Sequence, residues 1–185
     1  RYYVDAWGTQ WFYWFTEHAM LYRDEVAKTS MFFYPWGKDV YSHTGGNVLD
    51  AALDAPLRAL FGPVVGYNVF VGALILSNIW GMRRLLAELG VSAFSAWITG
   101  ILFAFNPFLL TELRDGRPTQ AMLVFALLFW AYFLRAGTSR KSALISGFFL
   151  ALTGLTYWYY AILAAPAAAA LFVFDREPGA MKNRV

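Results

Sequence analysis

The chain has no cysteine, which excludes disulfides and thiolate metal sites and leaves the redox compartment unmarked. Charge is scarce too. Only 15% of the 185 residues are Asp, Glu, Lys or Arg, against 59% hydrophobic, and the mean hydropathy is +0.45. A soluble domain carries about 25% charged residues. Histidine is limited to His18 and His43. The gaps in charge are more informative than the total. Residues 59–82, 91–110, 121–134 and 142–174 contain no Asp, Glu, Lys, Arg or His. Seven of the twelve carboxylates and both histidines fall instead within the first 54 residues. The net charge of +3 and a pI near 9.2 raise the question of a nucleic-acid partner. The basic residues form no stripe beside exposed aromatics, which sets nucleic acid aside.

This gathering of polarity reads as a water-facing head followed by membrane spans. A helix needs ~20 apolar residues to cross the hydrocarbon core. The first apolar block, 59–82, meets that and ends at Arg83-Arg84. The second, 91–110, is interrupted by Asn106-Pro107, which kinks or closes the helix. The third is usable as 118–136, with Pro118 in its first turn. The last block, 142–174, would be roughly 50 Å long as one helix, too long for one ordinary span. It reads as a hairpin, 142–158 and 160–174, turning at Tyr157-Trp158-Tyr159-Tyr160. The alternative is one strongly tilted helix.

The expected fold is therefore all-α: a polytopic transmembrane helical bundle with an extended first loop, residues 1–58, that contains interfacial helices. With five crossings, Arg83/Arg84, Arg135/Arg140/Lys141 and Arg176/Lys182/Arg184 share one face, which the positive-inside rule makes cytoplasmic. The head and the loop 112–120 take the non-cytoplasmic face. A chain that opens at Arg1 with no signal peptide is expected to follow an upstream span.

Within the head, residues 8–22 read as an interfacial helix, because Trp11, Trp14, Phe15, His18, Leu21 and Tyr22 recur every three or four residues. Phe32–Gly37 is an aromatic turn around Pro35. A further helix starts at an Asn47 cap and ends near Phe61-Gly62-Pro63. Asp50 and Asp54, one turn apart on it, read as cap and surface groups. Asp5, with Trp7 and Trp11 just downstream, combines a carboxylate near the membrane with an aromatic wall. It reads either as a reacting group or as a solvated residue after the upstream span. Arg114 and Arg117 suit a phosphate, since guanidinium matches its oxygens bidentately; the bland reading is a charged turn. Tyr157 and Trp158 are placed to close the same cavity. Asp39 and His43 are spaced to share a metal or to bind a phosphate with Lys38, or are simply solvated loop residues. His18 reads as a satisfied interfacial histidine.

The run Asp5, Gln10-Trp11-Phe12-Tyr13-Trp14, Phe33-Tyr34-Pro35-Trp36-Gly37, Asn47-Val48-Leu49-Asp50, Pro56-Leu57 and Gly66-Tyr67-Asn68 resembles the front of bacterial polytopic membrane glycosyltransferases of the GT-C superfamily. Phe103-Ala104-Phe105-Asn106-Pro107, Asp115-Gly116-Arg117-Pro118 and Thr156-Tyr157-Trp158-Tyr159-Tyr160 continue the likeness along nearly the whole chain. The resemblance implies a polyprenyl-phosphate-linked sugar donor, an acceptor hydroxyl, inversion at the anomeric carbon, and a site on the non-cytoplasmic side of the bacterial inner membrane. It implies Asp5 as the general base. It leaves a divalent cation open, since some relatives use one and others do not. Such enzymes are several times longer, which suits an N-terminal fragment with further chain segments or subunits beyond it. Two other classes compete: a transporter or lipid-handling protein, and a structural subunit whose aromatic head is a docking surface.

Overall fold

The computed structural model describes residues 5–22, 25, 27–40 and 48–174. It is helical apart from one small ribbon. Helix α1 (Ala6–Tyr22) is followed by β1 (Lys28–Thr29) and β2 (Lys38–Asp39), paired antiparallel with Lys28 opposite Asp39. Then come α2 (Val48–Glu88), α3 (Ala93–Ala104), α4 (Pro107–Arg114), α5 (Pro118–Ala121), α6 (Val124–Phe133), a 3-10 turn (Ala136–Thr138), α7 (Arg140–Thr156) and α8 (Trp158–Phe174).

Helix α2 is two arms. Gly62 adopts φ 77°, ψ 168° inside it, a conformation open to glycine because it lacks Cβ, and Pro63 has no N–H to continue the ladder. The arms fold back on each other. A Cβ on Gly66 would stand 2.7 Å from the Leu57 carbonyl, whereas nine residues of straight helix would separate the two by about 13 Å. The first arm belongs to the head and packs against α1; the second is the apolar arm.

By length and composition, α2 and the stretch Pro118–Thr138 are able to cross a bilayer. Helices α3 and α4, bent 43° from one another, make a third crossing if the pair is one span. That bend falls at Asn106-Pro107. The Asn106 side chain accepts from the Leu109 N–H at 3.1 Å, and Pro107 opens α4. The last apolar block divides at Tyr157, which is extended (φ −148°, ψ 98°), into α7 and α8, and these pack together as a hairpin. Each arm has 17 residues, short of the ~20 a crossing needs. Length thus supports two or three spans, where the sequence reading has five.

Glu88 accepts from both Arg84 and Arg135, while Arg83 lies 5.0 Å over the Trp97 ring and Arg84 5.7 Å over that of Tyr132. The first two basic clusters therefore meet at one end of the bundle. Arg176, Lys182 and Arg184, the third cluster, lie outside the described residues. The core joins Tyr13 of α1 to Phe70 and Leu74 of α2, Leu109 of α4 and Leu128 of α6.

Between α5 and α6 the helix breaks, and a break in an apolar span needs partners for its backbone groups. Asn78 supplies them. Buried on α2, it donates to the Ala121 carbonyl at 2.7 Å and accepts from the Leu123 N–H at 3.1 Å. Asn78→Leu keeps the size and leaves these groups only the bond of the turn itself, Leu123 N–H to the Ala121 carbonyl at 3.0 Å, so it is expected to destabilise by about 1–3 kcal/mol. Thermal unfolding in detergent measures this. An unchanged midpoint would mean that the break is satisfied otherwise.

Candidate functional site

The site is assembled around one tight contact. Gly116, at φ +81°, turns the chain after α4, and a Cβ there would stand 2.3 Å from the Ala6 Cα. The Thr9 hydroxyl donates to the Gly116 carbonyl at 2.6 Å. The first turn of α1 therefore rests on the 112–117 loop, and Asp5 comes within 3.2 Å of Arg117 Nε. The same guanidinium meets Glu112 at 3.3 Å and donates to Asp115 at 3.0 Å. Arg114 Nε donates to the other Asp115 oxygen at 3.0 Å.

Two grades of contact coexist in this cluster. Asp115 is hydrogen-bonded, and its carboxyl is held below the usual carboxylate range, chiefly by Arg114 and then by Arg117. The contacts of Arg117 Nε and Glu112 Oε2 lack hydrogen-bond alignment. Glu112 is buried, whereas the Asp5 side chain is 51% exposed. Asp5 is thus the partner Arg117 gives up most easily. The last hairpin completes the arrangement. The Tyr160 hydroxyl donates to the Gln120 carbonyl at 2.8 Å, and the Tyr157 phenol is pushed up by burial and then by Tyr159 and Glu112, with Arg117 opposing.

Three of the sequence-derived candidates therefore meet, Asp5, Arg114 and Arg117, while Tyr157 packs on Tyr159 and Tyr160 in the adjoining hairpin. Trp158 follows directly and stacks on Tyr159 at 3.9 Å. Trp11 is committed elsewhere, stacked on Phe15 at 5.1 Å and against Phe32 at 4.6 Å beneath the ribbon. Asp39 lines a cleft of about 590 Å³ together with His18, Glu25, Lys28, Lys38 and Trp36. Its proposed companion His43 lies outside the described residues. Two lysines beside the acids do not suit a divalent cation, and no group of three His, Cys, Asp or Glu among the described residues could hold a metal.

Asp50 and Asp54 depart from the sequence reading. Both are fully buried between α1 and the first arm of α2, not at the surface. The Tyr13 hydroxyl donates to Asp50 at 2.7 Å. Asp54 faces Arg58 Nε at 3.7 Å, and Arg58 also meets Glu17 at 3.6 Å and donates to Gln10 at 2.9 Å. Burial pushes Asp50 up to about 7 against the opposing Tyr13 hydrogen bond. Burial likewise pushes Asp54 up to about 6, with Arg58 opposing and Glu17 adding. The Tyr13 phenol rises well above its ordinary value through burial and then the Asp50 charge. The available signal was the setting of both acids among Ala51, Ala52, Leu53, Ala55 and Leu57. Glu112 was missed in the same way, as an acid placed close after Leu109 and Leu110.

No protein-family model, curated protein or solved structure matches the chain. The likeness to GT-C enzymes thus rests on the motifs alone. What stands beyond it is a helical protein of membrane type, with two helices able to span a bilayer, or three if the bent pair is one span.

Proposed function

We propose that the chain is the front part of a membrane glycosyltransferase that moves a sugar from a polyprenyl-phosphate donor to an acceptor hydroxyl with inversion. The carrying observation is the meeting of Asp5 with Arg117 from distant stretches, beside the last hairpin that Tyr160 ties to the Gln120 carbonyl. Helices α3 and α4 separate Arg117 along the chain from Glu88, which gathers Arg84 and Arg135. By the positive-inside rule the basic end is cytoplasmic, so residues 1–58 and the site face the other side of a bacterial inner membrane.

The chemistry follows from the contacts. Asp5 takes the proton of the acceptor hydroxyl, for which it must come within ~3 Å. The acceptor oxygen bonds to the anomeric carbon as the bond from that carbon to the phosphate oxygen breaks. Negative charge then grows on the leaving phosphate, and Arg117 and Arg114 are the donors at hand to meet it. Both guanidiniums already face carboxylates, so the phosphate must displace one. Asp5 is the loosest partner of Arg117, and its displacement by the donor frees it to act as base. Tyr157 and Trp158 supply an aromatic wall for the sugar.

A second reading has its own observation. The 43° break between α3 and α4 is the kind of discontinuous helix that transporters place at a binding site, which favours a lipid-handling protein. One experiment separates the two. The protein in liposomes is given polyprenyl-phosphate-linked hexose and pentose donors with an alkyl glycoside as the acceptor hydroxyl, and free polyprenyl phosphate, glycosylated acceptor and sidedness of the lipid are measured. Release above protein-free liposomes supports transfer. Movement of intact donor between leaflets without release supports lipid handling and sinks the transferase.

A further inference from the structure

The ribbon presents its side chains in an unusual way. At the tip, Phe32 turns inward against Trp11, while Phe33, Tyr34 and Trp36 are 73%, 80% and 89% exposed, and Met31 is exposed beside them. The turn is internally tied. The Gly37 N–H donates to the Phe33 carbonyl at 3.1 Å, and the Met31 N–H donates to the buried Thr29 hydroxyl at 3.1 Å. Large aromatics held outward on a tied turn form a contiguous apolar surface of the sort that marks an interaction site. The exposed side chains Leu21 and Tyr22 of α1 add to the apolar surface of the head.

Position decides the partner. The ribbon is fixed to α1 through Phe32 and Trp11. Helix α1 is fixed to the first arm of α2 through Tyr13–Asp50 and Gln10–Arg58, and that arm folds back on the arm able to span a bilayer. The tip is therefore carried by the same folded unit as the helices able to span a bilayer. Trp and Tyr, each apolar with one polar atom, are the residues that settle at the boundary of headgroups and acyl chains. Lys28 is exposed at the base of the turn, and half-buried Lys38, on the neighbouring strand, stands 5.8 Å over the Phe32 ring; both line the cleft at the foot of the tip, and lysines there suit anionic headgroups.

We propose that residues 30–37 form a membrane-docking tip, with Phe33, Tyr34 and Trp36 seated in the headgroup region of the bilayer and Lys28 and Lys38 facing anionic lipid. This is independent of the reaction proposed above.

The absence of native cysteine makes the test direct. Trp36→Cys is labelled with an environment-sensitive dye, and the protein is placed in liposomes of phosphatidylcholine with or without phosphatidylglycerol. Some of the lipid carries a nitroxide, either at the headgroup or deep in the chain. The expected result is quenching by the headgroup nitroxide at least twofold stronger than by the deep one, with at least twofold protection from aqueous iodide. Lys28→Glu with Lys38→Glu should weaken the headgroup quenching in phosphatidylglycerol liposomes and leave it unchanged in pure phosphatidylcholine. Iodide quenching equal to that of free dye would overturn the proposal. So would protection without nitroxide quenching, which means the tip is buried in protein. Self-quenching that grows with the protein-to-lipid ratio would instead assign the tip to a second copy. Phe33→Cys, the neighbouring exposed position, reads the same surface if Trp36→Cys fails to insert.

Discussion

Asp5→Asn is expected to slow sugar transfer about 10²–10⁴-fold, the usual contribution of a positioned general base. Stability should hardly change. The side chain is half exposed and its contact with Arg117 lacks hydrogen-bond alignment, and exposed ion pairs contribute about 0–1 kcal/mol. The carboxamide has the same shape and still faces the guanidinium, but it cannot accept the hydroxyl proton. The two measurements are the initial rate of polyprenyl phosphate release and the unfolding midpoint, both on protein in the same lipid. A lost rate with an unchanged midpoint assigns the proton step to Asp5. A full rate in the variant would remove Asp5 from the mechanism whatever the rest of the cluster does.

The next largest effect concerns pH. Asp50 rises from an ordinary 3.8 to about 7 in the folded chain, so between those values the folded state holds a proton that the unfolded state has released. Stability must then fall as pH rises through that window. The favourable contribution is complete below about 4 and gone above about 7. At about 1.4 kcal/mol per unit, the Asp50 shift is worth roughly 4 kcal/mol. Asp54, raised to about 6, acts in the same direction over the lower part of the window. Asp50→Asn removes the ionisation while its carbonyl oxygen can still accept from Tyr13. The variant should melt roughly 10 °C above the parent at pH 8 and close to it at pH 4. A parent whose midpoint is flat from pH 4 to 8 would show that Asp50 is hydrated or paired with a cation, contrary to its buried position.

The features that could be read from the sequence are the ones set by local chemistry. The break at Gly62-Pro63, the bend at Asn106-Pro107 and the division at Tyr157 each fall where the sequence places them. Glycine without Cβ and proline without N–H act on their own residue and need no partner. The contact of Asp5 with Arg117 joins two segments that the sequence reading puts on one face. Asp50 and Asp54 were not legible. Their burial depends on α1 docking against an arm that doubles back, and neither the docking nor the direction of the fold-back has a local signature. The neutralisation of Arg117 by Glu112 and Asp115 was hidden too, because it depends on side-chain direction within one tight turn. The hairpin of α7 and α8 also forms where the last block divides, with 17 residues in each arm against the ~20 of a typical span.

The bond from Thr9 to Gly116 joins residues 107 positions apart in the chain, which imposes an order of events on biosynthesis. When α1 leaves the ribosome, the loop that orients Asp5 has not yet been made. Two apolar segments must be synthesised before it, and the Tyr157 side of the cluster comes later still. Domains fold as they are made, at about 5–20 residues per second, so several seconds separate the first carboxylate from its guanidinium. During that interval the head can hold its buried Tyr13–Asp50 contact, yet Asp5 has no guanidinium to meet. The Asp5–Arg117 contact thus forms only after the apolar arm of α2 and helix α3 have been made.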